Sequence, residues 1–256
     1  MKKYEKFDKE IIKLSKEGKR PCEISKIIKI DSRRVIDRLK ANKITDYKKG
    51  NSNERKKIEN DMQHQILIGT IIGDGCIFKG KKNKNYRMNF AHGIKQKEYF
   101  LYKYNVLKTL GFNKPKEEIE MHSKVNKQYS CIKTQSLTNP LFTELYNIWY
   151  KNGKKIIPKD KLYEIRDLAI AIKFYDDGYK QRKTYCIAMN NYDIESINNF
   201  RTLLLNNYNI ETTVQKGGVI YIRKNSSEKF RSIVKKYATS DVLYKLGELL
   251  ETPESL

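Results

Sequence analysis

Residues 67–75 read LIGTIIGDG, an apolar run that stops on an aspartate held between two glycines. Residues 170–178 read IAIKFYDDG and stop the same way, with Asp177 and Gly178 in the places of Asp74 and Gly75. In the first copy Met62, Ile66, Gly69 and Gly73 share one stripe of a helix, and a small residue every fourth position lets a second helix approach closely. Gly75 suits a left-handed helix cap. Asp74 then sits at the negative end of the helix dipole, where a carboxylate costs about 0.3–1 kcal/mol. Two readings account for it. One is an exposed turn aspartate; the other is a ligand for a divalent cation, because hard metals take carboxylate oxygen and offset the repulsion.

The flanks of the two copies decide between these readings. After Gly75 come strand-like CIFKGK and YRMNFAH, a helical pattern at 96–110 closing at Gly111, strand-like EEIEMHS and QYSCIKTQ, and a helix near 140–150. After Gly178 the series repeats as YKQRK, TYCIAMN, a helix near 193–206, IETTVQK, GVIYIRK and a helix near 226–237. An internal duplication with acidic helix ends is far more specific than either motif alone. It predicts an α+β fold of two αββαββα units, spanning 61–160 and 161–256.

Upstream, residues 1–45 read as a small all-α unit. Phe7, Ile11 and Leu14 recur at helical spacing before Gly18; a second helix starts at Pro21 with Ile24, Ile27 and Ile28 on its inner face. Ser32 is expected to cap a third helix, with Val35, Ile36 and Leu39 inward and Arg33, Arg34, Arg38 and Lys40 outward. The polar stretch 46–60 reads as a basic linker. The helices resemble the helix-turn-helix of recombinases, which implies that Ser32, Arg33 and Arg34 meet base edges in the major groove and that Arg38 also contacts DNA.

Composition agrees with a polyanionic partner. Lys plus Arg number 53 against 30 acidic residues in 256, a net charge of +23. Nucleic acid is the first candidate and an anionic membrane surface the second, but no apolar run reaches the ~18 residues of a spanning helix. The start MKKYEKFDKE has no signal-peptide core, so a cytoplasmic, nucleoid-associated protein of bacterial, phage or organellar coding is expected. Cys22, Cys76, Cys131 and Cys186 are too far apart for a zinc site and are expected to be reduced. A phosphate loop of the form GxxxxGK[ST] is absent, which argues against an enzyme of small nucleotides.

The paired motifs resemble those of the single-chain LAGLIDADG homing endonucleases over about residues 60–250. The resemblance implies two motif helices packed at a pseudo-twofold axis, two saddle-shaped antiparallel sheets gripping a long asymmetric double-stranded DNA site, and a monomer active in intron mobility. It also implies that Asp74 and Asp177 bind Mg2+ or Mn2+, and that Lys155 and Lys245 lie near the cleavage centres. Asp176 aligns with Gly73, and its asparagine variant is expected to retain substantial cleavage; Lys173 and Tyr175 are expected to loosen the helix pair. Metals held by carboxylates suit phosphodiester hydrolysis because they activate water, neutralise the phosphate and assist the departing oxygen. In the strands, Lys79, Lys81, Arg87 and Asn89 of the first unit, with Lys180, Arg182, Tyr221 and Arg223 of the second, are expected on the DNA face. The alternative reading is a non-catalytic member of the same scaffold, either a transcription regulator or an intron maturase.

Overall fold

The computed structural model describes residues 2–47, 57–81, 83–122 and 127–248, so positions 48–56 of the expected linker lie outside the described residues. The chain divides into two units, Met1–Glu54 and Arg55–Leu256.

In the first unit α1 (Asp8–Lys16), α2 (Pro21–Ile28) and α3 (Ser32–Ala41) enclose a core of Ile11, Ile24, Ile28, Val35 and Leu39. Three expectations change here. Ile27 is 48% exposed and does not join the inner face of α2. The cap of α3 is Asp31, whose carboxylate accepts from the Arg33 amide at 2.8 Å, and Ser32 is the first helical residue. Arg38 does not point outward. It follows Val35 by three positions on the inner stripe, and its guanidinium is buried against Asp8, with Nε–Oδ1 2.8 Å and Nη2–Oδ2 2.5 Å. A charge placed there needs a partner, and α1 supplies one.

The second unit contains the duplication. α4 (Asp61–Ile72) leads into β1 (Cys76–Phe78), β2 (Arg87–Gly93), α5 (Lys97–Leu107), β3 (Lys116–His122), β4 (Lys127–Gln135) and α6 (Pro140–Trp149). A two-residue hairpin of β5 (Tyr150–Lys151) and β6 (Lys154–Lys155), which the sequence pattern did not announce, joins the halves. The second half runs α7 (Asp167–Asp177), β7 (Gly178–Gln181), β8 (Thr184–Ala188), α8 (Ile194–Tyr208), β9 (Thr212–Gln215), β10 (Val219–Ile222) and α9 (Ser227–Lys235). The two antiparallel sheets share one strand order, β1-β2-β4-β3 and β7-β8-β10-β9. Among the described residues no helix is long and apolar enough to cross a membrane.

α4 and α7 pack side by side. A Cβ on Gly69 would lie 2.6 Å from Ile172 Cβ and 2.9 Å from the Ala169 carbonyl, so only hydrogen fits. The close approach comes from small residues on α4 receiving larger ones from α7, and Lys173 and Tyr175 do not loosen it: Tyr175 turns away to bond the Val234 carbonyl at 2.7 Å. Met62 is 45% exposed, so the contact stripe begins at Ile66. Gly75 has no positive φ and is not a left-handed cap. Its constraint is space, since a Cβ there would lie 2.5 Å from Met88 Cε and 2.6 Å from the Thr70 carbonyl.

Candidate active site

The ends of α4 and α7 carry the motif acids, and two lysines mark their equivalence. Lys155 donates to the carbonyl of Gly73, the residue before Asp74. Lys245 donates to the carbonyl of Asp176, the residue before Asp177, at 3.0 Å, and to Tyr175 O at 2.6 Å. Three-dimensional position therefore pairs Asp74 with Asp177 and Gly73 with Asp176, as the sequence alignment has it. Burial lowers the pKa of both ammonium groups, against the opposing charge of the three aspartates; Lys173 adds to the lowering at Lys155 and, less, Lys103 at Lys245.

Around Asp74 the electrostatics are set by a buried cluster. The Asp176 side chain is 0% exposed. Its Oδ1 accepts from Lys103 Nζ at 2.8 Å and from the Tyr99 hydroxyl at 2.8 Å, while its Oδ2 accepts from the Asp74 amide at 2.9 Å. Burial pushes the Asp176 carboxyl up, but the Lys103 charge and these hydrogen bonds outweigh it and hold it below the usual carboxylate value. Asp176 thus fixes the backbone that presents Asp74. Gly73 makes room for it, since a Cβ there would sit 2.2 Å from Asp176 Oδ2.

Asp74 itself keeps 38% of its side chain exposed and forms no ion pair with lysine or arginine among the described residues. Loss of hydration first, then repulsion from Asp176 and Asp177, pushes its pKa up to about 7. His92 Nδ1 lies 3.5 Å from Asp74 Oδ2, and His92 Nε2 lies 3.7 Å from Asp176 Oδ1. Burial, then the charge of Lys103, pushes the imidazole down to about 3, so it is neutral, and its Nε2 has no hydrogen-bond partner. Ligand atoms of Asp74, His92 and Asp176 all lie within 4.8 Å of one another, a set able to hold a metal ion. Both Asp176 oxygens are already engaged, so the open acceptor capacity of the set is on Asp74.

Asp177 stands outside that set. It lines a second cavity with Lys155, Lys173, Asn190 and Tyr192, whereas Asp74 lines a first cavity with Asn89, His92, Lys116 and Lys133. Lys173 Nζ lies 2.7 Å from Asp177 Oδ2 and 3.2 Å from the Ala188 carbonyl.

The sheets divide the expected strand residues by register. β2 buries Met88, Phe90 and His92 and turns Arg87 and Asn89 to the open face, as expected; Tyr221, opposite Cys186, lies on the corresponding face of the second sheet. Lys180 does not. It pairs with Tyr185, whose ring packs 5.7 Å from both Phe174 and Phe230, so it belongs to the helix-covered side and borders a cavity there with Arg182. Lys79 lies on the same side, its ammonium 5.7 Å from the Tyr86 ring centroid, and Arg223 turns to Glu211 beside α8, with Nη1–Oε2 3.3 Å. Lys81 is exposed beyond the end of β1. A single step of register moves a side chain to the opposite face. Lys116 and Lys133, which lie opposite each other on the open face, are the cations that the strand pattern missed. In the first unit Arg33 and Arg34 are exposed at the start of α3, and Ser32 is half-buried.

His92, Tyr99 and Lys103 also went unread. The signal for His92 was its place two residues after Phe90 in a strand of period two; the signal for Lys103 was a charge set among aromatic and apolar residues after the first turn of KEYFLYKYNVL.

Comparison with known proteins agrees with this architecture. The chain is 30% identical over 208 residues to the cytochrome b mRNA maturase bI2 of Debaryomyces hansenii, covering 77% of this chain and 78% of that protein. It is 26% identical over 207 residues to the DNA endonuclease I-ChuI of Chlamydomonas applanata, covering 73% of this chain and 94% of that protein. The fold matches the homing endonuclease I-WcaI, solved bound to its DNA recognition sequence, with a TM-score of 0.67 at 23% identity, over 79% of this chain and 96% of that one. Residues 64–230 match the LAGLIDADG DNA endonuclease family, and the chain belongs to that family.

Proposed function

We propose that the chain is a site-specific double-stranded DNA endonuclease that hydrolyses phosphodiester bonds with Mg2+ or Mn2+. The observation that carries this reading is Asp74: an uncompensated carboxylate at the mouth of a cleft, held at a raised pKa by loss of hydration and then by two other acids, favours an added positive charge. Asp74 would hold the cation with the neutral His92 beside it; when bound, such an ion polarises the phosphate and activates water. The remaining work falls to the chain's own groups. Asp176 anchors the Asp74 amide, Lys155 and Lys245 supply positive charge at the two helix ends, and Arg87, Lys116 and Lys133 on the open face suit phosphate contacts while Asn89 suits a base edge. The N-terminal helices add a second DNA contact through Ser32, Arg33 and Arg34.

The test is a supercoiled plasmid bearing the sequence at which the gene's element inserts. Protein with Mg2+ converts it to linear form; EDTA or Asp74→Asn stops conversion while a gel-shift titration shows binding retained. Tight binding with no cutting by the wild type sinks the nuclease reading. One observation favours a second reading, RNA maturation, namely the 30% identity to an mRNA maturase. It expects splicing of the host intron to be promoted by wild type and Asp74→Asn alike.

A further inference from the structure

We propose that Lys173 stands in for a bound cation at Asp177, so that the two halves are unequal and only the Asp74 half draws a divalent ion from solution. The inference rests on the metal-dependent reading above and adds to it which acid holds metal.

The argument starts from what the duplication preserved and what it did not. Asp74 and Asp177 occupy equivalent places, but the residue one helical turn before each differs: Thr70 precedes Asp74, and Lys173 precedes Asp177. Thr70 turns its hydroxyl back to the Ile66 carbonyl of its own helix at 2.7 Å and leaves Asp74 alone. Lys173 reaches forward instead, placing its ammonium 2.7 Å from Asp177 Oδ2. The adjacent strands differ in the same sense. Cys76 opposes Asn89 and Tyr179 opposes Cys186, so His92 and Met189 are equivalent positions. The first half thus offers a buried nitrogen ligand behind its acid, and the second offers a thioether, a poor partner for a hard cation.

Lys173 is also held where it is. Its side chain is 1% exposed, its ammonium bonds the Ala188 carbonyl at 3.2 Å, and it lies 5.2 Å from the Tyr192 ring centroid. Tyr192 is anchored in turn by its hydroxyl, which donates to the Ile72 carbonyl at 2.8 Å. The ammonium cannot swing into water without abandoning these contacts, and a divalent ion on Asp177 would meet it at close range inside a partly dry cavity, where like charges repel strongly. Lys155 lines the same cavity and adds to the repulsion. Among the described residues Asp74 is paired with no such internal cation.

The experiment counts Mn2+ bound to the full chain at neutral pH, from the loss of the free-ion electron paramagnetic resonance signal. The wild type is expected to bind about one ion per chain and Lys173→Met about two, since freeing a carboxylate of its internal cation opens a site for a hard metal. Asp74→Asn should lose the wild-type ion and Asp177→Asn should keep it; in the Lys173→Met background, Asp177→Asn should lose the second. If Lys173→Met does not fold, the Asp74→Asn and Asp177→Asn pair decides alone. Two ions in the wild type with one lost in Asp177→Asn, or a single ion lost in Asp177→Asn, overturns the inequality and leaves the nuclease reading intact. No Mn2+ at either acid overturns both.

Discussion

Replacing Asp176 by asparagine is the sharpest probe of how the motif helices are held together. The change keeps the shape of the side chain and removes its charge, leaving Lys103, which is 0% exposed, without a counterion. Breaking a buried pair from one side costs about 3–5 kcal/mol, because the remaining charge has lost both water and partner. The amide also offers one acceptor oxygen where the carboxylate offered two. Either the Tyr99 hydroxyl at 2.8 Å or the Asp74 amide at 2.9 Å then loses its bond, a further ~1 kcal/mol. For a body of this size each kcal/mol moves the melting temperature by roughly 2–4 °C, so a drop of roughly 8–24 °C is expected. Lys103→Met should cost a similar amount by stranding Asp176. The double variant should recover roughly 2–3 kcal/mol relative to the sum, since no lone charge remains. The assay is thermal and urea unfolding of the four proteins at pH 7. Melting within about 1 °C of wild type for Asp176→Asn, or strict additivity in the cycle, would refute the ion pair as the anchor of the Asp74 backbone.

Binding to the cognate duplex should weaken ~10³- to 10⁵-fold between roughly 50 and 200 mM salt, because each neutralised phosphate releases counterions; a flat response in a filter-binding titration would assign the +23 charge to another purpose. Deleting residues 1–50 should leave cleavage chemistry intact and reduce affinity or discrimination at one flank, read by gel shift and plasmid cutting together; unfolding of the remaining body would contradict the division at Glu54–Arg55. In the first unit, the Arg38 guanidinium holds the Asp8 carboxyl below its ordinary value. A depressed folded pKa contributes stability above the unfolded value near 4, and that contribution is lost as pH falls through the folded value. Protection of the Val35 and Leu39 amides, corrected for intrinsic exchange, should therefore fall on acidification below about pH 4, and Arg38→Met should weaken it already at pH 7, by ~1–3 kcal/mol. Unchanged protection in both experiments would leave the Arg38–Asp8 pair without a structural role.

The duplication, the order of its helices and strands and the two motif acids were legible in the chain alone, because each shows itself through local period or recurrence and does not depend on what lies across the fold; the two lysines at the helix ends came only with the family resemblance. Gly73 opposite Asp176 was legible as an alignment, but its consequence was not: Asp176 looked spare because its partners, Tyr99 and Lys103, come from a helix 73–77 residues earlier in sequence. Arg38 looked like a DNA contact because the charge pattern of α3 cannot show that Asp8 lies against it. Lys180 and Lys79 looked like DNA-facing residues because a short strand leaves its parity open until a partner sets the register. The same holds for the difference between Asp74 and Asp177, which share a motif but not a neighbourhood. Sequence determines which groups can carry charge; tertiary structure decides which of them lose water, which find a partner and which are left needing one, because electrostatic energy depends on distance and solvent in space and not on separation along the chain.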